Sequence, residues 1–196
     1  MSQLRPDLEV IAHNIAPGSR VLDIGCGDGS LLAELVKRHD VDARGLEIDP
    51  VLVERCVARG LSVVQGDADS DLADYPDRGF DYAILSQTLQ TAARPDRMLE
   101  DLLRVGRRAF VSFPNFAHWR TRSALMFGGR MPVTRALPVS WYETENIHHA
   151  TIRDFHDLIG KMGVQIEQSW YFNGGQGISP LGANWRAEFA VFLLSR

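Results

Sequence analysis

The residues best suited to chemistry begin at Val21-Leu22-Asp23-Ile24-Gly25-Cys26-Gly27-Asp28-Gly29, where a short apolar run meets three glycines at alternate positions. Glycine lets a backbone turn sharply and approach a ligand with no Cβ in the way. The spacing is G-x-G-x-G, and Ser30 stands where a dinucleotide fingerprint places its third glycine. Asp23 precedes the turn and Asp28 lies within it. Two carboxylates repel a pyrophosphate and suit a cation. S-adenosylmethionine meets that requirement, since it has a sulfonium, an ammonium group and no phosphate.

Three further features follow along the chain. Glu47, with Ile48 after it, ends a second apolar run about 20 residues past the glycines, where a carboxylate can accept from both ribose hydroxyls. Gly66-Asp67-Ala68 follows a third run, and Asp67 is placed to accept from an adenine amino group. Phe80-Asp81-Tyr82 opens a fourth, whose end, Ser86-Gln87, is expected beside the sulfonium. Taken singly, Glu47 or Asp67 reads equally well as a helix N-cap or a surface acid. Four such features at the ends of successive strands point to one site, because open α/β sheets bind ligands at the carboxyl ends of their parallel strands. The expected contact residues are Asp23, Gly25, Cys26, Gly27, Glu47, Ile48, Asp67, Ala68, Ser86 and Gln87. No metal-ligating spacing occurs.

The elements that must position these residues alternate. Leu4, Leu8, Ile11, Ala12 and Ile15 recur at helical steps, and Pro17-Gly18 stops them. Strands are expected at Arg20–Ile24, Ala43–Ile48, Leu61–Gln65, Tyr82–Leu85, Ala109–Phe113, Val164–Phe172 and Glu188–Leu194. Helices lie between most of them. Asp49-Pro50 reads as an N-cap followed by a first-turn proline, and Thr151-Ile152-Arg153-Asp154 as a capping box. Alternation of this kind predicts an α/β fold, a parallel sheet with helices on both faces. No helical pattern separates the last two strands, so they must be antiparallel. The expected sheet has seven strands, mostly parallel, with one reversed near an edge.

Length and composition fit one domain. The chain has 196 residues, 45% hydrophobic and 23% charged, within the globular range. No apolar run approaches the roughly 18 residues needed to span a bilayer, and Arg5, Asp7 and Glu9 interrupt the start of the chain, unlike a secretory signal. Two cysteines, Cys26 and Cys56, in no metal or CxxC spacing predict a reduced, cytoplasmic setting. The net charge of −4 argues against nucleic-acid binding. It is unevenly spread: nine arginines from Arg94 to Arg135 face only Asp96, Glu100 and Asp101. Such a stretch suits an acidic partner or an anionic substrate, or is a solvated face in a chain with only two lysines. Pro114–Glu145 breaks the strand–helix rhythm and is rich in arginine and aromatic residues. Either an inserted cap or partner segment, or a helix from Phe116 to Phe127 packed on the domain, accounts for it.

The order VLDIGCGDG, GLEID, GDAD and FDYAIL resembles the Rossmann-like class I S-adenosylmethionine-dependent methyltransferase fold. LSQTLQ at 85–90, SFPNFAHWR at 112–120, GRMPVT at 129–134, WYET at 141–144 and NIH at 146–148 are similar to the narrower MetW family. Ala117 and Glu145 depart from that pattern, where glycine and proline are expected. The resemblance implies a role in methionine biosynthesis, S-adenosylmethionine or S-adenosylhomocysteine as ligand, and a homoserine O-acyltransferase (MetX-type) as partner. It places the fold's cofactor roles on Asp23, Gly25, Gly27, Glu47 and Asp67.

Whether a methyl group moves is left open by the residues. The sulfonium is already a good leaving group, so transfer needs mainly positioning, and a base only where the acceptor must lose a proton. His118, Tyr142, His148 and His149 are candidates, none in a recognisable catalytic arrangement. Two readings follow: a non-catalytic or weakly catalytic partner of the acyltransferase, and a methyltransferase acting on a small molecule.

Overall fold

The computed structural model describes residues 4–134, 137–145 and 147–196. Arg135 and Asn146, both part of the sequence reading, lie outside the described residues. The elements run α1 (Pro6–Asn14), β1 (Arg20–Ile24), α2 (Ser30–His39), β2 (Asp42–Glu47), α3 (Pro50–Ala58), β3 (Ser62–Gln65), α4 (Ala68–Asp71), β4 (Phe80–Ser86), α5 (Pro95–Val105) and β5 (Gly106–Pro114). They continue α6 (Trp119–Gly128), α7 (Ile152–Lys161), β6 (Gln165–Asn173), β7 (Gln176–Ile178), α8 (Ala183–Arg186) and β8 (Phe189–Ser195).

The sheet order is β3-β2-β1-β4-β5-β8-β6-β7. Strands β1 to β5 are mutually parallel, β8 runs antiparallel to β5 and β6, and β7 antiparallel to β6. The α/β class holds with two corrections. There are eight strands rather than seven, and two of them are reversed rather than one. The additional strand, β7, is three residues long and sits in the glycine-rich stretch after β6, where no alternating apolar pattern marks it. Gly174 and Gly175, both at positive φ, make the tight turn that folds it back on β6.

Side-chain alternation along the strands divides the core between the two faces. Leu22, Ile24, Leu85, Val111 and Phe113 pack with α5 and α7 on one face. Val21, Tyr82, Ile84 and Phe110 pack with α1 and α2 on the other. Phe113 lies 4.8 Å from Phe155 and 5.8 Å from Phe192, ring centre to ring centre, which ties α7 and β8 to β5. The same alternation puts Asp23, Ser86 and Ser112 on the α1 face, at the carboxyl end of the sheet.

The caps form as their sequences require. Asp49 accepts the Val51 N–H ahead of α3, and Thr151 with Asp154 completes a reciprocal capping box on α7. Among the described residues, no helix is long and apolar enough to cross a membrane.

Candidate functional site

The loop from β1 into α2 carries the first part of the site. Gly25 and Gly27 both adopt positive φ, +70° and +59°. A Cβ on Gly25 would lie 2.6 Å from the Thr88 hydroxyl, so side chain and backbone conformation are both excluded there. A Cβ on Gly27 would meet nothing within 4 Å, because it would project into open space.

Gly27 also walls a cavity of about 440 Å³, together with Asp23, Gly25, Cys26, Asp28, Ser86 and residues at the start of α1. A second cavity of about 390 Å³ adjoins it through Gly25 and is walled by Glu47, Ile48, Asp67, Ala68, Gln87 and Met98, among others. The two form one groove across the carboxyl ends of β1, β2, β3 and β4. All ten residues expected from sequence border it: Asp23, Gly25, Cys26, Gly27 and Ser86 on one side, Glu47, Ile48, Asp67, Ala68 and Gln87 on the other, with Gly25 shared.

Glu47 does more than face the groove. Its Oε2 accepts the Gly27 N–H at 2.7 Å, and Oε1 accepts the Ile48 and Asp49 N–H groups at 2.9 and 3.0 Å. The carboxylate therefore pins the glycine loop to the end of β2. Asp67 caps α4, accepting the Asp69 N–H at 2.9 Å, and its own N–H donates to Asp71. Asp67 thus caps a helix and walls the second cavity at once, whereas Glu47 walls that cavity without being a cap, since Asp49 caps α3. Ile48 is 62% exposed, an apolar side chain left uncovered at the wall of the second cavity.

Asp23 is buried and makes no side-chain hydrogen bond among the described residues. Burial pushes its carboxyl up to about 7, with Glu47 and Asp7 adding to the effect and Arg5 opposing it. Asp28 is held below the usual carboxylate range, chiefly because the Ser30 hydroxyl and N–H donate to it. Burial pushes the thiols of Cys26 and Cys56 above their ordinary range, which disfavours the thiolate form. Cys26 is a wall of the loop.

Ser86 and Gln87 are fixed rather than free. Ser86 Oγ donates to Asp7 Oδ2 at 2.9 Å and sits 3.2 Å from Ser112 Oγ. Gln87 adopts a left-handed φ of +55°, with its N–H donating to the Ser112 carbonyl at 2.9 Å. A smaller cavity, about 260 Å³, opens past Gln87 between Arg5, Pro114, Pro138 and Phe189.

The candidate catalytic groups lie elsewhere. His118, Tyr142 and His148 are not among the residues walling these three cavities. His118 is the N-cap of α6 and is buried, which lowers its pKa. Tyr142 is exposed. The His148 N–H donates to the Gln90 carbonyl and anchors its loop. His149 packs its ring 4.6 Å from Phe116. Among the described residues no cluster of His, Cys, Asp or Glu could hold a metal ion.

The 114–145 stretch contains a helix, α6, close to the Phe116–Phe127 span, yet Met126 and Phe127 are about four-fifths exposed. The stretch is anchored by Asn115, which is buried. Its Nδ2 donates to the Asn184 and Ala187 carbonyls, and its Oδ1 accepts from Ala117 and Ile152. Trp119, Trp141, Tyr142 and Trp185 are exposed around it.

Sequence reasoning missed Arg5, Leu4 and Leu8, which wall the first cavity, and Met98, Thr88 and Asp69, which wall the second. Arg5 precedes a helix, with no local pattern to mark it. Met98 reads only as one apolar position on α5.

Comparison with known proteins agrees with this architecture. The model of the family described as methionine biosynthesis protein MetW matches residues 5–194. The chain is 36% identical, over 98% of its length, to the bifunctional methionine biosynthesis protein MetXA/MetW of Rhodopirellula baltica, covering 33% of that protein. It is 34% identical to a ubiquinone biosynthesis O-methyltransferase of Xylella fastidiosa, over 67% of this chain and 56% of that one. The chain thus spans a third to about half the length of these curated relatives. An S-adenosylmethionine-dependent methyltransferase from Mesorhizobium loti superposes with a TM-score of 0.72 at 18% identity, covering 97% of this chain and 96% of that one. A possible histamine N-methyltransferase from Thermotoga maritima gives 0.66 at 16% identity, covering 97% and 87%. With the family model matched from the residues leading into α1 to the end of β8, the chain belongs to the MetW family.

Proposed function

We propose that the chain binds S-adenosylmethionine, or its product S-adenosylhomocysteine, in the joined cavities and acts in methionine biosynthesis together with a homoserine O-acyltransferase of MetX type. The observation that carries the cofactor reading is the pair of adjoining cavities that meet at Gly25, walled by the acids Asp23, Glu47 and Asp67, with Arg5 the one basic residue among their described walls. Asp23 and the glycine loop would hold the amino-acid and sulfonium end, Glu47 the ribose, and Ile48, Asp67 and Ala68 the adenine. The partner reading draws support from the Rhodopirellula protein, whose name joins MetXA and MetW in one polypeptide, of which this chain matches a third. Two unbridged, buried cysteines suit a cytoplasmic setting.

A partner role needs the cofactor to bind two states of the complex with different affinity, so that the ligand acts as a signal. The exposed stretch around α6, with Arg120 and Arg122 at its start, is the proposed partner segment. The test is affinity capture with the native acyltransferase. Wild-type chain should retain it, and the Arg120→Ala/Arg122→Ala double variant should lose it while keeping cofactor affinity. Failure to bind or activate the acyltransferase removes the partner role.

A second reading, methyl transfer to a small molecule, is favoured by the 260 Å³ cavity that opens beside Arg5 and Gln87. There the chain's own residues would act by positioning and by excluding water. Transfer of labelled methyl from S-adenosylmethionine to a metabolite would establish it.

A further inference from the structure

The helix α6 leaves one side uncovered. Trp119, Arg122, Ser123 and Met126 recur at three- and four-residue steps and so share a face, with Phe127 at its margin. Thr121, on the opposite side, is buried. Trp119 is exposed, and Met126 and Phe127 are about four-fifths exposed. Trp185 of α8, half exposed, extends the stripe, since the Arg122 guanidinium carbon lies 5.1 Å from its ring centre. Single apolar residues scattered on a surface need no explanation, but several large ones gathered around an arginine do.

This platform is braced from below. Through its four hydrogen bonds, Asn115 joins the loop ahead of α6 to α8 and to the first turn of α7, and the Asn184 side chain accepts the Arg153 N–H at 3.2 Å. A surface already ordered binds a partner without the entropy cost of ordering it. Arg122 is held as well. Its Nε donates to the Ala117 carbonyl at 2.6 Å, and both Nη groups make no hydrogen bond among the described residues. Arg120 lacks such an anchor: its guanidinium carbon lies 5.4 Å from the neighbouring Trp119 ring, and its side chain makes no hydrogen bond among the described residues.

Charge decides what fits. From Phe116 to Tyr142 the sequence carries four arginines and no carboxylate. Arg120, Arg122 and Arg130 make no ion pair among the described residues. Apolar side chains around a held arginine with unused donors have the composition of an interface centre, and the missing member is a carboxylate, which a guanidinium binds through two donors at once. A soluble anion would leave Met126 and Phe127 uncovered, so a protein face answers better.

We infer that the outward face of α6, with Trp185, is the docking surface for a protein face that presents a carboxylate among apolar side chains, and that Arg122 rather than Arg120 is its charged anchor. The inference rests on the partner reading above for the identity of that protein, and adds the contact surface and the chemistry the partner must bring to it.

The test is calorimetric titration of the full chain with the native homoserine O-acyltransferase. Arg122→Ala and Trp185→Ala should each lower affinity at least about tenfold, and Arg120→Ala by less than about threefold. Met126→Glu and Met126→Lys lose the same apolar contact but carry opposite charges. The glutamate should therefore cost at least about tenfold more affinity than the lysine, a difference that lost packing alone does not produce. Met126 is exposed, so both variants should keep the wild-type circular dichroism spectrum, and they serve if Arg122→Ala disturbs α6. Equal losses from Met126→Glu and Met126→Lys, or full affinity in Arg122→Ala and Trp185→Ala, overturn the inference and leave the partner reading standing. So does a dimer of the chain, seen by sedimentation, that Met126→Glu dissociates, or retention of the chain by phosphatidylglycerol vesicles through the same residues. Failure of wild type to bind the acyltransferase removes the partner reading and this inference together.

Discussion

Replacing Glu47 by alanine probes the site and the fold at once. The side chain accepts three backbone N–H groups, from Gly27, Ile48 and Asp49, at 2.7 to 3.0 Å. Hydrogen bonds to a charged acceptor contribute roughly 1.5–3 kcal/mol each, but the groove lets water reach part of what the substitution uncovers. Discounting for that rehydration leaves a stability loss of about 3 kcal/mol. For a domain of this size, each kcal/mol moves Tm by about 2–4 °C, so a drop of roughly 6–12 °C is expected. Affinity for S-adenosylmethionine should fall at least about tenfold when measured well below that Tm, because the proposed ribose contact and the pinned glycine loop are lost together. Glu47→Gln keeps one carbonyl oxygen for Ile48 and Asp49 and should lose about half as much stability, about 1.5 kcal/mol. Differential scanning calorimetry and titration on the same preparations separate the two effects. A Tm unchanged within about 2 °C in Glu47→Ala would refute the pinning role. Unchanged affinity would remove Glu47 from the ligand.

Two further outcomes are expected. Gly27→Val should abolish cofactor binding, since Gly27 walls the first cavity at a φ that β-branched residues avoid, while the sheet stays folded by circular dichroism; retained binding would move the ligand away from this loop. Asp23, with its carboxyl pushed up to about 7, holds a proton in the folded chain between about pH 4 and 7 that the unfolded chain has released, so its contribution to stability falls as pH rises through that window. A cationic ligand favours the ionised form, so affinity should rise about tenfold from pH 6 to pH 8 and level off above. Asp23→Asn should flatten the profile, and a wild-type profile already flat over that range would contradict the role given to Asp23.

The fold was legible where local signals and tertiary demand coincide. The central parallel strands β1, β4 and β5 hold short apolar runs buried on both faces, and Asp49-Pro50 and Thr151–Asp154 announce their helices by chemistry that acts within a few residues. β7 was not legible, because three residues between glycines carry no periodicity and pair only because β6 offers an edge. The walls of the candidate site were legible for the same reason as the strands: most of them sit at strand ends, a position sequence can mark. Arg5 was not, because its placement depends on Asp7 reaching Ser86 and Ser112, residues 79 and 105 positions away. The double duty of Glu47 was also hidden, since the Gly27 N–H reaches its carboxylate, beside the local Ile48 and Asp49 donors, only once β1 and β2 are paired.

The central claim is that this groove takes a positively charged adenosyl ligand and not a pyrophosphate-bearing one. Calorimetric titration of the wild-type chain with S-adenosylmethionine and, separately, with NADH tests it most directly. A single saturable site for the sulfonium compound, with no heat from the dinucleotide, is the predicted result. Saturable binding of NADH, with S-adenosylmethionine giving none, would contradict the account.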